Sequence, residues 1–157
     1  MKKAALAVGA VALLGVLVLP FLFAPSDEQL IGEALKESIS ASREGRPGGV
    51  MEYLSSSLKY NNEDVTDRMG VADTIKRAKP DVVVQDPRPV IQGQTATIVS
   101  AVTVNMDVGP ISFPIEIKRA VITFTKETGR KFLVLPAPIW RISSISADEV
   151  DLSQIMN

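Results

Sequence analysis

The feature that most constrains this chain is an uncharged apolar run of 20 residues that begins at Ala4 and ends at Phe23, preceded by Lys2 and Lys3 and followed by Ala24 and Pro25. At about 1.5 Å per residue, a helix of that length reaches roughly 30 Å, the hydrocarbon thickness of a bilayer. A secretory signal has a shorter apolar core, about 7 to 15 residues, and small residues at its cleavage site. Cleavage after Ala24 would put Leu22 where a small side chain is needed, whereas cleavage after Ser26 uses Ala24 and Ser26 and is chemically tolerable. The length favours an uncleaved anchor; a secreted free domain is the alternative. Lys2 and Lys3 are the only charges before the run. The positive-inside rule therefore keeps the N-terminus in the cytoplasm and sends the rest to a periplasmic or extracellular space.

Residues 25–157 suffice for one domain and are too few for two ordinary ones. Beyond Lys2 and Lys3 the chain has 15 basic and 18 acidic residues, a net charge of −3. A nucleic-acid partner is not expected, because phosphate neutralisation requires a basic excess. The chain has no cysteine, so neither disulfides nor a lipid-bearing cysteine is available, and no histidine, the commonest acid–base group at neutral pH and a common metal ligand. The cluster Asn61, Asn62, Glu63, Asp64 and Asp67 lacks the spacing and glycine of a calcium loop. No metal, cofactor or catalytic residue is expected.

The texture changes near Pro80, with helical signals before it and strand signals after. Ser26 and Gln29 form a capping-box pattern, and Leu30, Ile31, Ala34, Leu35, Ser38 and Ile39 recur at helical spacing, predicting a helix over 27–43. Ser26 thus has a structural role that needs no signal peptidase. Gly45, Pro47, Gly48 and Gly49 mark a turn. Val50, Met51, Tyr53, Leu54 and Leu58 predict a second helix, and Met69, Ala72, Ile75 and Ala78 a third over 66–78, stopped by Pro80. Short strands follow over 81–85 and 89–92, then two long ones over 95–106 and 111–125. In the last of these, Phe113, Ile115 and Ile117 lie in one phase and Ala120, Ile122 and Phe124 in the other, which predicts a β-bulge near Lys118 and Arg119. Glu127, Thr128, Gly129 and Arg130 read as a tight hairpin with Gly129 left-handed. A strand over 131–135 then meets Pro136 and Pro138, which interrupt pairing before a last strand over 139–145. The domain is assigned to 25–146, and 147–157 to an acidic, loosely held tail.

The class expected is α+β: a transmembrane helix, then about three helices on a curved, bulged antiparallel sheet. The order of elements, the Pro80 break, the hairpin from Lys126 to Arg130 and the strand Ile139, Trp140, Arg141, Ile142 resemble the nuclear transport factor 2-like superfamily, whose members include SnoaL-like cyclases and ketosteroid isomerases. The resemblance covers roughly residues 27–146. It implies a cone-like half-barrel with an interior pocket, frequent dimerisation through the outer sheet face, and no particular reaction. An anchor ahead of such a domain also occurs in the scaffold component of type IV secretion machines, a parallel of architecture only.

Four residues are candidates for ligand binding. Tyr53 supplies either a hydroxyl donor or a half-buried core ring. Phe113 and Trp140 belong either to the core or to a pocket wall. Arg119, at the bulge, either turns inward to an anionic ligand or an ion pair, or stands in water. Glu116 is the one mid-strand carboxylate, and Lys118 in its alternation phase points to a solvated stripe. The function expected is a membrane-anchored, non-catalytic binding or assembly module with a homodimer or envelope-protein partner. The alternative is a pocket for an apolar small molecule, as a carrier or as an isomerase- or dehydratase-type enzyme.

Overall fold

The computed structural model describes residues 24–108, 111–131 and 135–148. The proposed anchor at residues 4–23 lies outside the described residues, and among those described no helix is long and apolar enough to cross a membrane.

Helix α1 spans Asp27–Arg43 and opens on the expected capping box. The Ser26 hydroxyl accepts from the Gln29 N–H at 3.2 Å, and Gln29 Oε1 accepts from the Ser26 N–H at 2.9 Å, so two donors that a helix start leaves orphaned are satisfied. Its buried stripe includes Ile31, Ala34, Leu35 and Ser38. The other end is tied down by Ser42, whose hydroxyl donates to the Pro80 carbonyl at 2.8 Å, and by Arg43, 2.6 Å from Asp81.

The second helix is much shorter than expected. Helix α2 covers only Pro47–Met51, and Leu54–Tyr60 form strand β1. Leu54 and Leu58 fit helical spacing, but the serines between them favour hydrogen bonding outside a helix, and irregular pairing with the last strand turns both leucines inward. Asn61 and Asn62, both at positive φ, make the two-residue turn into β2, Glu63–Asp64. Helix α3, Arg68–Ala78, ends on left-handed Lys79 before Pro80. Ile75 is its buried residue; Met69, expected on the same stripe, is 85% exposed.

The strands are β3 (Asp81–Val84), β4 (Val90–Gln92), β5 (Thr95–Val108), β6 (Ile111–Lys131) and β7 (Leu135–Ala147). They form an open sheet in the order β2-β1-β7-β6-β5-β3, with β4 also on β5. The sheet is mixed, because β1 and β7 run parallel. The expected bulge is present. Ser100 pairs with Ala120 and Val102 with Ile117, leaving Lys118 and Arg119 opposite the single residue Ala101. Both apolar phases of β6 thereby face the helices.

Two expectations about the last hairpin are corrected. Strand β6 continues through Glu127–Arg130 to Lys131, with Gly129 paired to Ala137 and Lys131 to Leu135, so the expected turn residues are strand. Gly129 is needed for space and not for a left-handed φ: a Cβ there would sit 2.8 Å from Ile139 Cγ2. Pro136 and Pro138 do not interrupt β7. The Ile142 N–H points to the Tyr53 carbonyl, away from β6, and alternation gives both prolines the same phase. Their missing donors thus fall on an open edge, where proline guards against stray pairing. Pro114 is placed likewise on the other side of the bulge: the Lys126 N–H points across β5 to Gln94, and the bulge inverts that phase.

Trp140, Phe124, Ile31 and Ile98 are the largest fully buried apolar side chains and fill the space between α1 and the sheet. Truncating a ring of this kind to alanine costs about 3–5 kcal/mol.

Candidate functional site

The N-terminus of α1 meets the β6–β7 ribbon where that ribbon extends past its last pairing with β5. Asp27 is the meeting point. Its carboxylate accepts from the Trp140 indole N–H at 3.0 Å and from the Lys126 ammonium, which lies 2.8 Å from Oδ1. Lys126 pairs across the strands with Trp140, and its Nζ stands 5.7 Å from the ring centroid, within cation–π range. The hydrogen bond from Lys126, then that from Trp140, hold the Asp27 carboxyl below its usual value.

A second group occupies the opposite face of the ribbon, since adjacent strand residues alternate. Glu127 accepts from the hydroxyl of buried Ser55 at 2.7 Å and from Arg141 at 2.8 Å, and is likewise held low, chiefly by Ser55. Arg141 Nε donates to the Glu52 carbonyl at 2.9 Å, and Arg68 donates to the Ser55 carbonyl at 2.8 Å. These bonds fix the segment between α2 and β1 against the ribbon, and so position Tyr53.

Between the first turns of α1, that segment and the ribbon lies a cleft of about 90 Å³, bordered by Leu30, Glu33, Glu52, Tyr53, Pro138 and Trp140 among others. Burial, with Glu52, Glu37 and Glu33 nearby, pushes the Tyr53 phenol up. The cleft is well below the roughly 300 Å³ at which drug-sized ligands are enclosed. Acid–base chemistry on a neutral substrate calls for a carboxyl pushed up or a poised base, and Asp27 and Glu127 are pushed the other way. Among the described residues, no group of three or more His, Cys, Asp or Glu is arranged to hold a metal ion.

Of the four candidates, Tyr53 and Trp140 come together at this cleft. Phe113 is half-buried beyond the bulge, paired with Met106, and Arg119 is exposed at the bulge, its carbonyl accepting from the Asp148 N–H at 3.1 Å. Glu116 is exposed. Sequence reasoning missed Asp27, Lys126, Glu127, Arg141 and Ser55. Only the acid at the first helical position carried a local signal, and it reads as an ordinary dipole partner.

No protein-family model matches the sequence, and no curated protein matches it significantly. Solved structures do share the arrangement. The CaMKII hub of S. rosetta superposes with a TM-score of 0.58 at 12% identity, covering 79% of this chain and 97% of that one. A protein of unknown function from Mycobacterium tuberculosis gives 0.57 at 12% identity, over 78% and 70%. A nuclear transport factor 2-like superfamily protein from Salmonella enterica gives 0.56 at 12% identity, over 77% and 89%. Helices on a curved, bulged, open sheet in this order define the class as α+β. The chain has the nuclear transport factor 2-like fold.

Proposed function

We propose that this chain is a membrane-tethered binding and assembly module, anchored by residues 4–23 with its N-terminus in the cytoplasm and its domain outside, and that the domain self-associates through the outer face of its sheet. The observation that carries this reading is the contrast between the two faces. The inner face is filled by Trp140, Phe124, Ile31 and Ile98. The outer face presents Val83, Val90 and Val99 at 41%, 64% and 51% exposure. Register places Thr97, Val121, Thr123 and Ser144 beside Val99, with the charged side chains Lys118 and Arg119 at the bulge next to this patch. An exposed group of valines on a sheet face suits a partner surface. A second copy supplies that surface at no cost in complementarity design, because a two-fold contact uses one patch twice. That one similar structure is a hub supports assembly.

The test is sedimentation of the full-length chain in maltoside micelles over a concentration series. A dimer or larger species is expected, with Val99→Lys shifting it to monomer; a monomer throughout overturns the reading. N-terminal sequencing of the membrane-extracted chain tests the anchor separately, and a chain beginning at Asp27 would make the domain a free one.

The small-molecule alternative is favoured by one feature, an open groove of about 580 Å³ between α1 and the β3–β4 connection, with Leu35, Ile39, Val84 and Pro87 on its walls. A carrier of apolar acids would show a ligand-dependent rise in Tm. No shift across a broad screen of apolar acids and steroids would count against it.

A further inference from the structure

The groove between α1 and the β3–β4 connection has the room that the Tyr53–Trp140 cleft lacks. Its volume of about 580 Å³ falls inside the roughly 300–1,000 Å³ in which small molecules are held, against about 90 Å³ for the cleft. It follows one stripe of α1, on which Glu28, Gly32, Lys36, Ser40 and Arg43 recur at helical spacing. The helix rises about 22 Å from Glu28 to Arg43. Spread over that length, the volume gives a cross-section of about 26 Å², which fits one extended hydrocarbon chain and is too narrow for fused rings.

Gly32 stands in the middle of the stripe. Glycine inside a helix costs about 1 kcal/mol relative to alanine. Nothing within the domain requires it here, since a Cβ would meet no atom within 4 Å and its φ is not left-handed. The missing side chain leaves the α1 wall of the groove open between Glu28 and Lys36. Leu35, Ile39 and Val84, which border the groove, also pack on the core, so the surface beneath a ligand is apolar.

The charges give the groove a direction. Arg43 is held by Asp81 and Arg88 by Asp86, whereas exposed Lys36 makes no ion pair among the described residues. Glu28, the carboxylate that borders the groove, lies two turns before Lys36. An anionic head is therefore drawn to the half with Lys36 and Arg43, and its chain extends past Gly32 toward the start of α1. We propose, on the small-molecule reading of this groove, that it holds a long-chain fatty acid, with the single chain laid along Gly32, Leu35 and Ile39 and the carboxylate at Lys36.

The experiment photolabels the full-length chain in phosphatidylcholine nanodiscs with a diazirine-bearing hexadecanoic acid and maps the labelled peptides by mass spectrometry. Saturable labelling is expected within residues 32–43 or 84–89. Unlabelled hexadecanoic acid should compete for it at least tenfold better than octanoic acid at equal free concentration, because each methylene laid on the groove adds apolar contact. Cholic acid, an anion built on fused rings, should not compete. Gly32→Trp fills the trough and Lys36→Glu reverses its charge; each is expected to lower labelling about tenfold below saturation. Both positions are exposed, and a Tm no lower than that of the parent verifies the fold of each variant. Labelling that does not saturate, that maps outside these segments, or that is unchanged in either variant overturns the proposal, as does octanoic acid competing equally well. Cholic acid competing as well as hexadecanoic acid overturns the single-chain ligand and leaves the groove a small-molecule site; no competition by any acid overturns that reading too. Val99 lies on the outer face, so self-association is tested independently.

Discussion

Asp27 accepts a hydrogen bond from the indole N–H of Trp140 at 3.0 Å across a separation of 113 residues. The first residue of α1 is thereby fastened to the middle of the last strand, at the point where chain emerging from residues 4–23 enters the domain. The same carboxylate holds Lys126, so one side chain joins α1, β6 and β7.

Asp27→Ala leaves the buried Trp140 N–H without its acceptor and Lys126 without its counter-ion. A loss of about 1–3 kcal/mol is expected. Asp27→Asn keeps an acceptor for the indole and should lose less than half as much. Urea unfolding followed by Trp140 emission measures both, and equal losses would contradict the role given to the indole bond.

The acid side of the stability profile follows from the same carboxylates. Asp27 and Glu127 are lowered from ordinary values of 3.8 and 4.5, so in acid the unfolded chain binds more protons than the folded one. Their stabilisation is complete above those ordinary values and is lost as pH falls through the lower folded ones. Tm should therefore drop between about pH 5 and pH 2, and less steeply in the Asp27→Asn, Glu127→Gln double variant. Thermal melts across this range decide it, parallel profiles being the contrary result. Glu44 and Asp86, also lowered, are common to both chains and cancel in the comparison.

Two adjacent glycines in α2 should respond with opposite signs. A Cβ at Gly49 would lie 2.8 Å from the Ala41 Cβ on α1, whereas one at Gly48 meets nothing within 4 Å. Gly49→Ala is expected to destabilise by about 1–3 kcal/mol through overpacking. Gly48→Ala is expected to be neutral, or to stabilise by up to about 1 kcal/mol, since alanine is the better helix former. Denaturant midpoints of the two variants give the comparison; matching shifts would mean that α2 does not approach α1 this closely.

Deleting Lys118 leaves Arg119 alone opposite Ala101 and sets Ile117 and Ala120 two residues apart, so both apolar phases of β6 keep the inner face without a bulge. The deletion is expected to keep a cooperative transition, and Lys118→Ala, at an exposed position, should stay within about 0.5 kcal/mol of the parent. Thermal melts by near-ultraviolet circular dichroism read both. Loss of cooperative unfolding in the deletion would contradict the pairing given for Ile117 and Ala120.

The features legible in the sequence are those whose cause is local. The Ser26–Gln29 cap, the α1 stripe and the phase change around Lys118 each depend on residues within one or two turns or strand repeats. Strand β1 was not legible, because Leu54 and Leu58 satisfy helical spacing and only irregular pairing with β7 turns both inward. The Gly129 turn was misplaced because its composition suits a turn, while the opposing Ile139 decides that it is a strand. Tyr53 and Trp140 were selected for their chemistry. What unites them is the Asp27, Glu127 and Arg141 scaffolding, whose contacts span 14 to 113 residues and leave no local trace.

The central claim is that the outer face around Val99 joins one copy to another outside the cytoplasm. The chain has no cysteine, so a single Val99→Cys substitution gives one reporter thiol on that face, and Lys76→Cys on exposed α3 gives a control. In intact cells treated with a membrane-impermeant thiol crosslinker, the Val99→Cys chain is expected to run as a covalent dimer on a denaturing gel and the Lys76→Cys chain as a monomer. Monomers from both, or equal dimer from both, would contradict the account.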